Sequence, residues 1–215
     1  MHPIGLRCCR AVVPASLLLA AACLSASAVG HAGQQTTGDR GYHQTITKPD
    51  PRIKIIIEKR GTMVVQLFSK ETPKTTAHII ALVNRKFYDH LLFHHVVKGF
   101  MATTGDPKSK SLDGKKIATM SQEDIVSKYK LGAGGSGKTV AIEPHMGHEK
   151  GTLGLYHNAR NVDSGDSQIF INLDDNHVND GQYTAFGKIV FGQNVMSKIE
   201  QGDRIESIRL MSGLK

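Results

Sequence analysis

The run FHHVVKGFMATTGDP, residues 93–107, decides the fold of this chain. Its first five residues, 93–97, are aromatic or β-branched around two histidines, which is typical of a short β-strand. Lys98 and Gly99 form a turn signal, and a second apolar run starts at Phe100 before a glycine-aspartate-proline sequence ends it. Two short neighbouring strands would place an aromatic ring, a thioether and histidine nitrogens close together. Such a surface can accept an apolar ring on one side and hydrogen-bond a peptide on the other.

Length and composition predict one ordinary domain with extra segments. The chain has 215 residues, of which 40% are hydrophobic and 21% are charged, enough for a full apolar core. The net charge of +8 mildly favours acidic partners. Lysines and arginines are scattered, however, and no run of five or six occurs. We therefore expect no nucleic-acid binding, which needs basic residues clustered on one face.

The N-terminal residues 1–32 predict a secretory signal peptide. Two arginines precede an apolar stretch over residues 11–22, and small-residue cleavage motifs end at Ala28 and Ala32. The apolar stretch is too short to span a bilayer stably. We therefore expect a secreted or periplasmic protein, in which the polar residues 33–51 act as a flexible tether.

A second processing route involves Cys23. Residues 20–23 (AAAC) resemble a bacterial lipoprotein signal, although the usual leucine three places before the cysteine is missing. Cys23 would then carry a lipid and become the mature N-terminus of a membrane-anchored lipoprotein. The other two cysteines, Cys8 and Cys9, also lie in this leader, so no disulfide can staple the folded part.

Short β-rich runs and turn signals predict a mainly β domain over residues 52–215. The predicted strands, in addition to residues 93–97, cover residues 53–58, 62–68, 152–156, 168–173, 183–191 and 204–210. Thr72 as N-cap and Pro73 at the first helical position open a helix that ends near residues 84–86. A second helix is predicted over residues 195–199. This pattern favours an antiparallel barrel.

The 93–107 run resembles the core motif of the cyclophilins, which are peptidyl-prolyl cis-trans isomerases. The family pattern is F-H-R-V, a short turn, and F-M-x-Q-G-G-D-P. The matching residues are Phe93, His94, Val96, Phe100, Met101, Gly105, Asp106 and Pro107. His95 stands where the family has its catalytic arginine, and Thr103 where it has a glutamine. The resemblance implies a closed eight-stranded antiparallel β-barrel capped by two α-helices, over about residues 53–211.

Residues 108–131 look like an insertion relative to compact cyclophilins. The segment is polar and rich in lysine. Ser121 starts a short helix as its N-cap, and Ile125, Val126 and Tyr129 would give this helix one narrow apolar face. We expect a surface helix that is packed less well than the rest of the domain.

Residues 132–139 (GAGGSGKT) fit the P-loop pattern G-x-x-x-x-G-K-[ST], but their context argues against it. A P-loop needs N–H groups aimed at a phosphate and a helix behind them. Residues 140–144 (VAIEP) contain a proline, so no helix of useful length can follow Thr139. The segment also resembles the glycine-rich loop of bacterial cyclophilins. We therefore expect no nucleotide at the motif that starts at Gly132.

Five histidines raise the question of a metal site. They are His90, His94, His95, His145 and His148. Adjacent residues on a strand point to opposite faces, so His94 and His95 cannot easily share an ion. We expect no metal and no cofactor, with His94 as a hydrogen-bonded structural residue.

The resemblance also implies a peptide site. The catalytic residues that it implies are His95, Phe100, Met101, Gln168 and Phe170. The substrate-binding residues that it implies are Thr103, Tyr156, His157, Val178, Asn179 and Tyr183. Val178, Asn179 and Tyr183 replace the family's tryptophan or phenylalanine, leucine and histidine. The pocket for the proline ring therefore loses an apolar wall at Asn179, and cyclosporin binding should be weak.

A prolyl isomerase must lower the barrier to rotation about the prolyl peptide bond, which is about 18–20 kcal/mol. A site lowers it with an apolar pocket, hydrogen bonds to the peptide and a donor that binds the twisted amide better than the planar one. Arginine offers five donors, whereas histidine offers one or two and is neutral above about pH 6.5. We expect an isomerase of Xaa-Pro bonds in exported proteins, with reduced activity because His95 replaces the arginine.

The alternative is a catalytically silent cyclophilin-fold module that binds peptides as a chaperone. The substitutions ring one site, which favours the silent module. The isomerase is favoured by four retained residues: Phe100, Met101, Gln168 and Phe170. In both cases we expect a monomer whose partners are proline-containing polypeptides. A membrane would be contacted only through a lipid on Cys23.

Overall fold

The computed structural model describes residues 50–211, and this part of the chain is mainly β. The predicted signal peptide, the lipoprotein alternative at Cys23 and nearly all of the predicted tether lie outside the described residues. Within the described part, no helix is long and apolar enough to cross a membrane.

Eight strands form one antiparallel sheet. They are β1 (Arg52–Ile57), β2 (Gly61–Leu67), β3 (His95–Val97), β4 (Met101–Thr104), β5 (Thr152–Leu155), β6 (Ile169–Asn172), β7 (Thr184–Phe191) and β8 (Ile205–Leu210). Their order across the sheet is β3-β4-β6-β5-β7-β2-β1-β8. The prediction of a mainly β, eight-stranded antiparallel domain is confirmed.

The two ends of the sheet meet through the segments that precede β3 and β8. Leu92 and Arg204 form an isolated antiparallel bridge. The Phe93 N–H donates to the Asp203 carbonyl at 2.8 Å, and the Gly202 N–H donates to the Phe93 carbonyl at 2.8 Å. In the described residues no ladder joins β3 to β8 themselves, so the observed architecture is a curled sheet and full barrel closure stays a prediction.

The core follows the period of two expected for strands with one buried face. In β1, Ile53, Ile55 and Ile57 are at most 2% exposed, and in β2 the alternating Met63, Val65 and Leu67 are fully buried in the same cluster. Phe68, the residue that follows β2, packs with Met146 and Ala185 in a separate, smaller cluster.

Four short helices accompany the sheet. They are α1 (Pro73–Asn84), α2 (Gly114–Ala118), α3 (Gln122–Tyr129) and α4 (Gln193–Met196). Three 3₁₀ turns cover Pro107–Ser111, Val162–Ser164 and His177–Asn179. The predicted second helix starts two residues before residue 195 and ends earlier than predicted. Helix α1 packs on β7 and β8, and α4 packs on β2.

The start of α1 differs from the prediction. Thr72 does precede Pro73, but its hydroxyl makes no cap and donates to the Phe68 carbonyl at 2.9 Å. The cap comes from Glu143, whose carboxylate accepts the Lys74 N–H at 3.1 Å and the Thr75 N–H at 2.8 Å. A carboxylate satisfies two free N–H groups and also complements the helix dipole, which a hydroxyl does not.

The insertion is better packed than we expected. Its residues Ile117, Ile125 and Leu131 form a separate small core together with Leu92. Ser121 caps α3 as predicted, accepting the Asp124 N–H at 3.1 Å. Val126 is 46% exposed, so its place on the apolar face was predicted wrongly. The sequence pattern could not show that Leu92, from outside the insertion, would complete this core.

Candidate active site

Strand register brings the predicted site residues into one row. His95 on β3 pairs with Thr103 on β4, and Thr103 pairs with Phe170 on β6. Directly paired residues point to the same face, and the neighbouring row of Val96, Ala102 and Ile171 faces the core. The imidazole of His95 therefore lies on the same face as the Phe170 ring, with Thr103 between them.

Met101 and Gln168 belong to the same face. Met101 lies two residues before Thr103, and Gln168 lies two residues before Phe170. Met101 is partly buried, whereas Phe100 at the hairpin end is 37% exposed. This face therefore carries Met101 beside Thr103, and Phe100 lies exposed in the turn that precedes β4.

The Phe170 ring is held against the backbone of Gly154. Phe170 is 2% exposed, and Gly154 is its partner on β5. A Cβ at residue 154 would lie 2.1 Å from Phe170 Cζ. We did not predict Gly154 as a site residue. The available signal was a glycine inside a strand, which indicates a close approach of another group.

Aromatic rings surround Phe170 on its other sides. His148 stacks on it with ring centroids 5.6 Å apart, and Tyr183 meets it edge-on at 5.6 Å. Tyr183 in turn stacks on His157 at 4.4 Å and on Tyr156 at 6.4 Å. Three residues predicted as substrate-binding thus form one ring cluster with Phe170. The sequence treated His148 only as a metal candidate, and its role in the cluster was missed.

The 3₁₀ turn His177–Asn179 carries the other two predicted residues. The Asn179 carbonyl accepts the backbone N–H groups of Gln182 and Tyr183, at 3.0 and 3.1 Å. Asn179 therefore orients the chain that presents Tyr183. Val178 is 69% exposed, so it offers an open apolar surface and not a wall of a closed pocket.

Gln168 connects this surface to a neighbouring cavity of about 430 Å³. Its side-chain amide donates to the Gly134 carbonyl at 2.8 Å. The residues that line the cavity are Gly132, Ala133, Gly134, Gly135, Gly137, Thr139, Tyr156, His157, Asn158, Ser164, Asp166 and Gln168. The cavity therefore adjoins the aromatic cluster through the shared residues Tyr156 and His157.

The glycine-rich loop does not have the geometry of a phosphate cradle. The N–H groups of Gly132 and Gly134 donate to Asp106 at 2.8 and 2.9 Å, and that of Gly137 donates to Asp166 at 2.9 Å. These donors are engaged by the chain's own carboxylates. Residues 140–151, all of them described, contain no helix.

His94 and His95 point to opposite faces, as we predicted. His94 is 2% exposed, and burial lowers its pKa to about 4. Its Nδ1 has no hydrogen-bond partner in the described residues, so the predicted hydrogen-bonded role does not extend to that nitrogen. Over residues 50–211, no group of three or more histidine, cysteine, aspartate or glutamate side chains could hold a metal ion.

Comparison with solved structures defines the class of this fold. A cyclophilin-type peptidyl-prolyl cis-trans isomerase from Cryptosporidium parvum, determined in the presence of the dipeptide Ala-Pro, superposes with a TM-score of 0.60. The match covers 75% of this chain and 99% of that protein at 22% identity. The fold is therefore cyclophilin-like.

Sequence comparison gives the family. The model described as "Cyclophilin type peptidyl-prolyl cis-trans isomerase/CLD" matches residues 52–212. A Brucella suis protein named "Probable peptidyl-prolyl cis-trans isomerase" is 34% identical over 173 residues, covering 78% of this chain and 81% of the relative. A Helicobacter pylori "Peptidyl-prolyl cis-trans isomerase" is 33% identical, covering 72% of this chain and 84% of the relative. The chain belongs to the cyclophilin-type peptidyl-prolyl cis-trans isomerase family, and it is an isomerase of that class.

Proposed function

We propose that this isomerase acts on Xaa-Pro bonds of exported proteins with lower activity than family members that carry the arginine. The row His95–Thr103–Phe170 carries the proposal, because it puts a hydrogen-bond donor on the same face as the pocket ring. The Cryptosporidium relative was determined in the presence of Ala-Pro. By analogy, the surface around Phe170 receives the proline ring here.

The chemistry needs no covalent step. Rotation about the prolyl bond twists the amide, removes its resonance and leaves the nitrogen able to accept a hydrogen bond. The Phe100, Met101 and Phe170 surface holds the ring in both states, whereas the His95 donor matters most when the amide is twisted. Only the second kind of interaction raises kcat.

The reduced rate follows from the smaller number of hydrogen-bond donors on histidine than on arginine. A neutral imidazole has one N–H donor, and a guanidinium has five in a fixed fork. Losing one oriented transition-state donor costs about 10²–10³-fold in rate. His95→Arg should therefore raise kcat/KM by about 10²-fold, and His95→Ala should lower it further below the original rate.

The test is prolyl cis-trans exchange on a short Xaa-Pro peptide, measured by NMR with the full chain at pH 6 and pH 8. His145→Ala is the matched control, because His145 is an exposed histidine outside the row. Equal exchange rates for the original chain, His95→Ala and His95→Arg would remove His95 from the mechanism. Peptide binding without exchange, with exchange restored by His95→Arg, would instead establish the silent peptide-binding module.

We also propose that residues 1–32 direct export and that the sheet closes into the full barrel. Intact mass of the mature protein from a bacterial host distinguishes cleavage after Ala28 or Ala32 from lipidation of Cys23. Recovery in the membrane fraction that is lost in Cys23→Ser would show the lipid anchor. A full-length mass in the cytosolic fraction would contradict export.

A further inference from the structure

His148 lies behind the aromatic surface in a hydrogen-bond chain that fixes its protonation. The chain begins at the Glu149 carbonyl, which can only accept, so the Thr152 hydroxyl donates to it at 2.7 Å. The Thr152 oxygen then accepts from the Asn172 side-chain amide at 2.7 Å. The second hydrogen of that amide points to His148 Nδ1 at 3.1 Å.

The other end of this hydrogen-bond chain is also a backbone carbonyl. His148 Nε2 lies 3.2 Å from the Tyr183 carbonyl, which can only accept. Nδ1 must therefore be the acceptor and Nε2 must carry the hydrogen. Both ends of the network select the same neutral tautomer, and a second proton on Nδ1 would face the Asn172 amide hydrogens.

The His148 imidazole contacts both Phe170 and Tyr183. It stacks on Phe170 with an interplanar angle of 17°. Its Nε2–H donates to the carbonyl of Tyr183, whose ring meets the Phe170 ring at 88°. His148 is fully buried, so it cannot itself contact a peptide.

We propose that His148 is a positioning residue of the isomerase, which sets the Phe170 and Tyr183 rings for the proline through its neutral Nε2–H tautomer. The inference rests on the proposed use of Phe170 as the ring pocket. Pocket walls bind the planar and the twisted peptide alike, so loss of His148 should raise KM more than it lowers kcat.

The charged surroundings agree with a neutral imidazole. Burial is the main cause that lowers the pKa of His148, and His177 lowers it further. The Tyr183 carbonyl and Asp180 oppose this and raise it, and Asp180 also accepts the His148 backbone N–H at 2.7 Å. Acidification should therefore loosen the pocket only when the neutral form is lost, below the ordinary pKa of histidine.

Two substitutions separate the functions of the ring. His148→Phe keeps a flat ring against Phe170 and removes both hydrogen bonds, whereas His148→Gln keeps an amide donor and removes the ring. We expect about a tenfold rise in KM for His148→Phe, which corresponds to roughly the net contribution of one hydrogen bond, and a smaller rise for His148→Gln. His145→Phe is the matched control and should leave KM unchanged.

The decisive readout is independent of turnover. Imidazole ¹⁵N resonances of the full chain should show His148 protonated on Nε2 alone at pH 7, and Phe170 and Tyr183 ring resonances should shift in His148→Phe. Protonation on Nδ1, or a His148→Phe chain with unshifted rings and unchanged KM, would overturn the proposal. If the original chain proves inactive, the Kd for an Ala-Pro peptide replaces KM, so failure of the catalytic proposal remains distinguishable from failure of this one.

Discussion

Gly154→Ala provides a sharp test of the pocket geometry. The new methyl group would lie 2.1 Å from Phe170 Cζ and 2.5 and 2.6 Å from two other ring carbons. Ordinary contact begins near 3.4 Å, so the ring must withdraw by about 1 Å, a misplacement that can cost about 10²-fold in rate.

The stability change should be smaller than the activity change. Overpacking a core costs about 1–3 kcal/mol, and replacing a strand glycine by alanine returns about 0.5–1 kcal/mol. We therefore expect a net destabilisation of about 1–2 kcal/mol, measured by urea unfolding, with a folded protein at 25 °C. The rate should fall by at least tenfold in the prolyl exchange assay.

A double substitution separates the clash from general damage. Phe170→Leu removes the ring atoms that the new methyl group would meet, so the penalty of Gly154→Ala should shrink in the Phe170→Leu background. The two residues are in contact, and non-additive free energies are expected for such a pair. Additive effects, or a Gly154→Ala chain that keeps its exchange rate and its Phe170 resonances, would refute the packing argument.

Three further predictions concern stability. Glu143→Gln should cost about 1 kcal/mol by weakening the cap of α1, which lowers Tm by about 2–4 °C in calorimetry; an unchanged Tm would exclude this cap as a stabilising element. His94 has its pKa lowered to about 4 by burial, against about 6.5 in the unfolded chain. The unfolded chain alone takes up the proton between these values, so stability is lost as pH falls from about 6.5 to 4, by up to about 3 kcal/mol, and denaturant titrations of His94→Gln should show a flatter profile. Asp89 accepts both terminal nitrogens of Arg209 at 2.7 Å, and this hydrogen bonding lowers the pKa of Asp89. The stability that the Asp89–Arg209 pair contributes is present above the ordinary pKa of aspartate and is lost as pH falls through the pKa of Asp89 in the folded protein. Asp89→Asn should cost about 1 kcal/mol, since the partly exposed pair is screened. The same substitution should remove this dependence of stability on acid pH.

The sequence predicted the strands because strands depend on local patterns, and the same kind of pattern named the residues of the proposed pocket. The β-rich runs, the turn at residues 98–99 and the motif over residues 93–107 are each contained in a few consecutive residues. What brings them together is register between strands far apart in the chain. The pairing of His95 with Thr103 could be anticipated from one hairpin, whereas that of Phe170 with Gly154 could not.

The sequence also could not predict hydrogen-bond partners that are far apart along the chain. The Thr75 N–H is capped by Glu143 from 68 residues away, although a threonine in the expected cap position precedes the helix. The position of His148 depends on Asn172 and on the Tyr183 carbonyl, which its own sequence neighbourhood does not reveal. In the insertion, likewise, Leu92 supplied apolar surface that the segment lacks by itself. Local propensity identifies elements, but the groups that satisfy buried polar atoms are selected by the tertiary fold.

Strand β6 and the residue just before it connect three parts of the proposed site. Gln168, Phe170 and Asn172 alternate on one face. Gln168 hydrogen-bonds the glycine-rich loop, Phe170 lies at the proposed pocket, and Asn172 hydrogen-bonds His148. Phe170 is kept in place by the close approach of the Gly154 backbone and by the buried His148 imidazole that stacks on it. What then distinguishes a slow isomerase from a silent binding module is the donor at His95, at the other end of the same row.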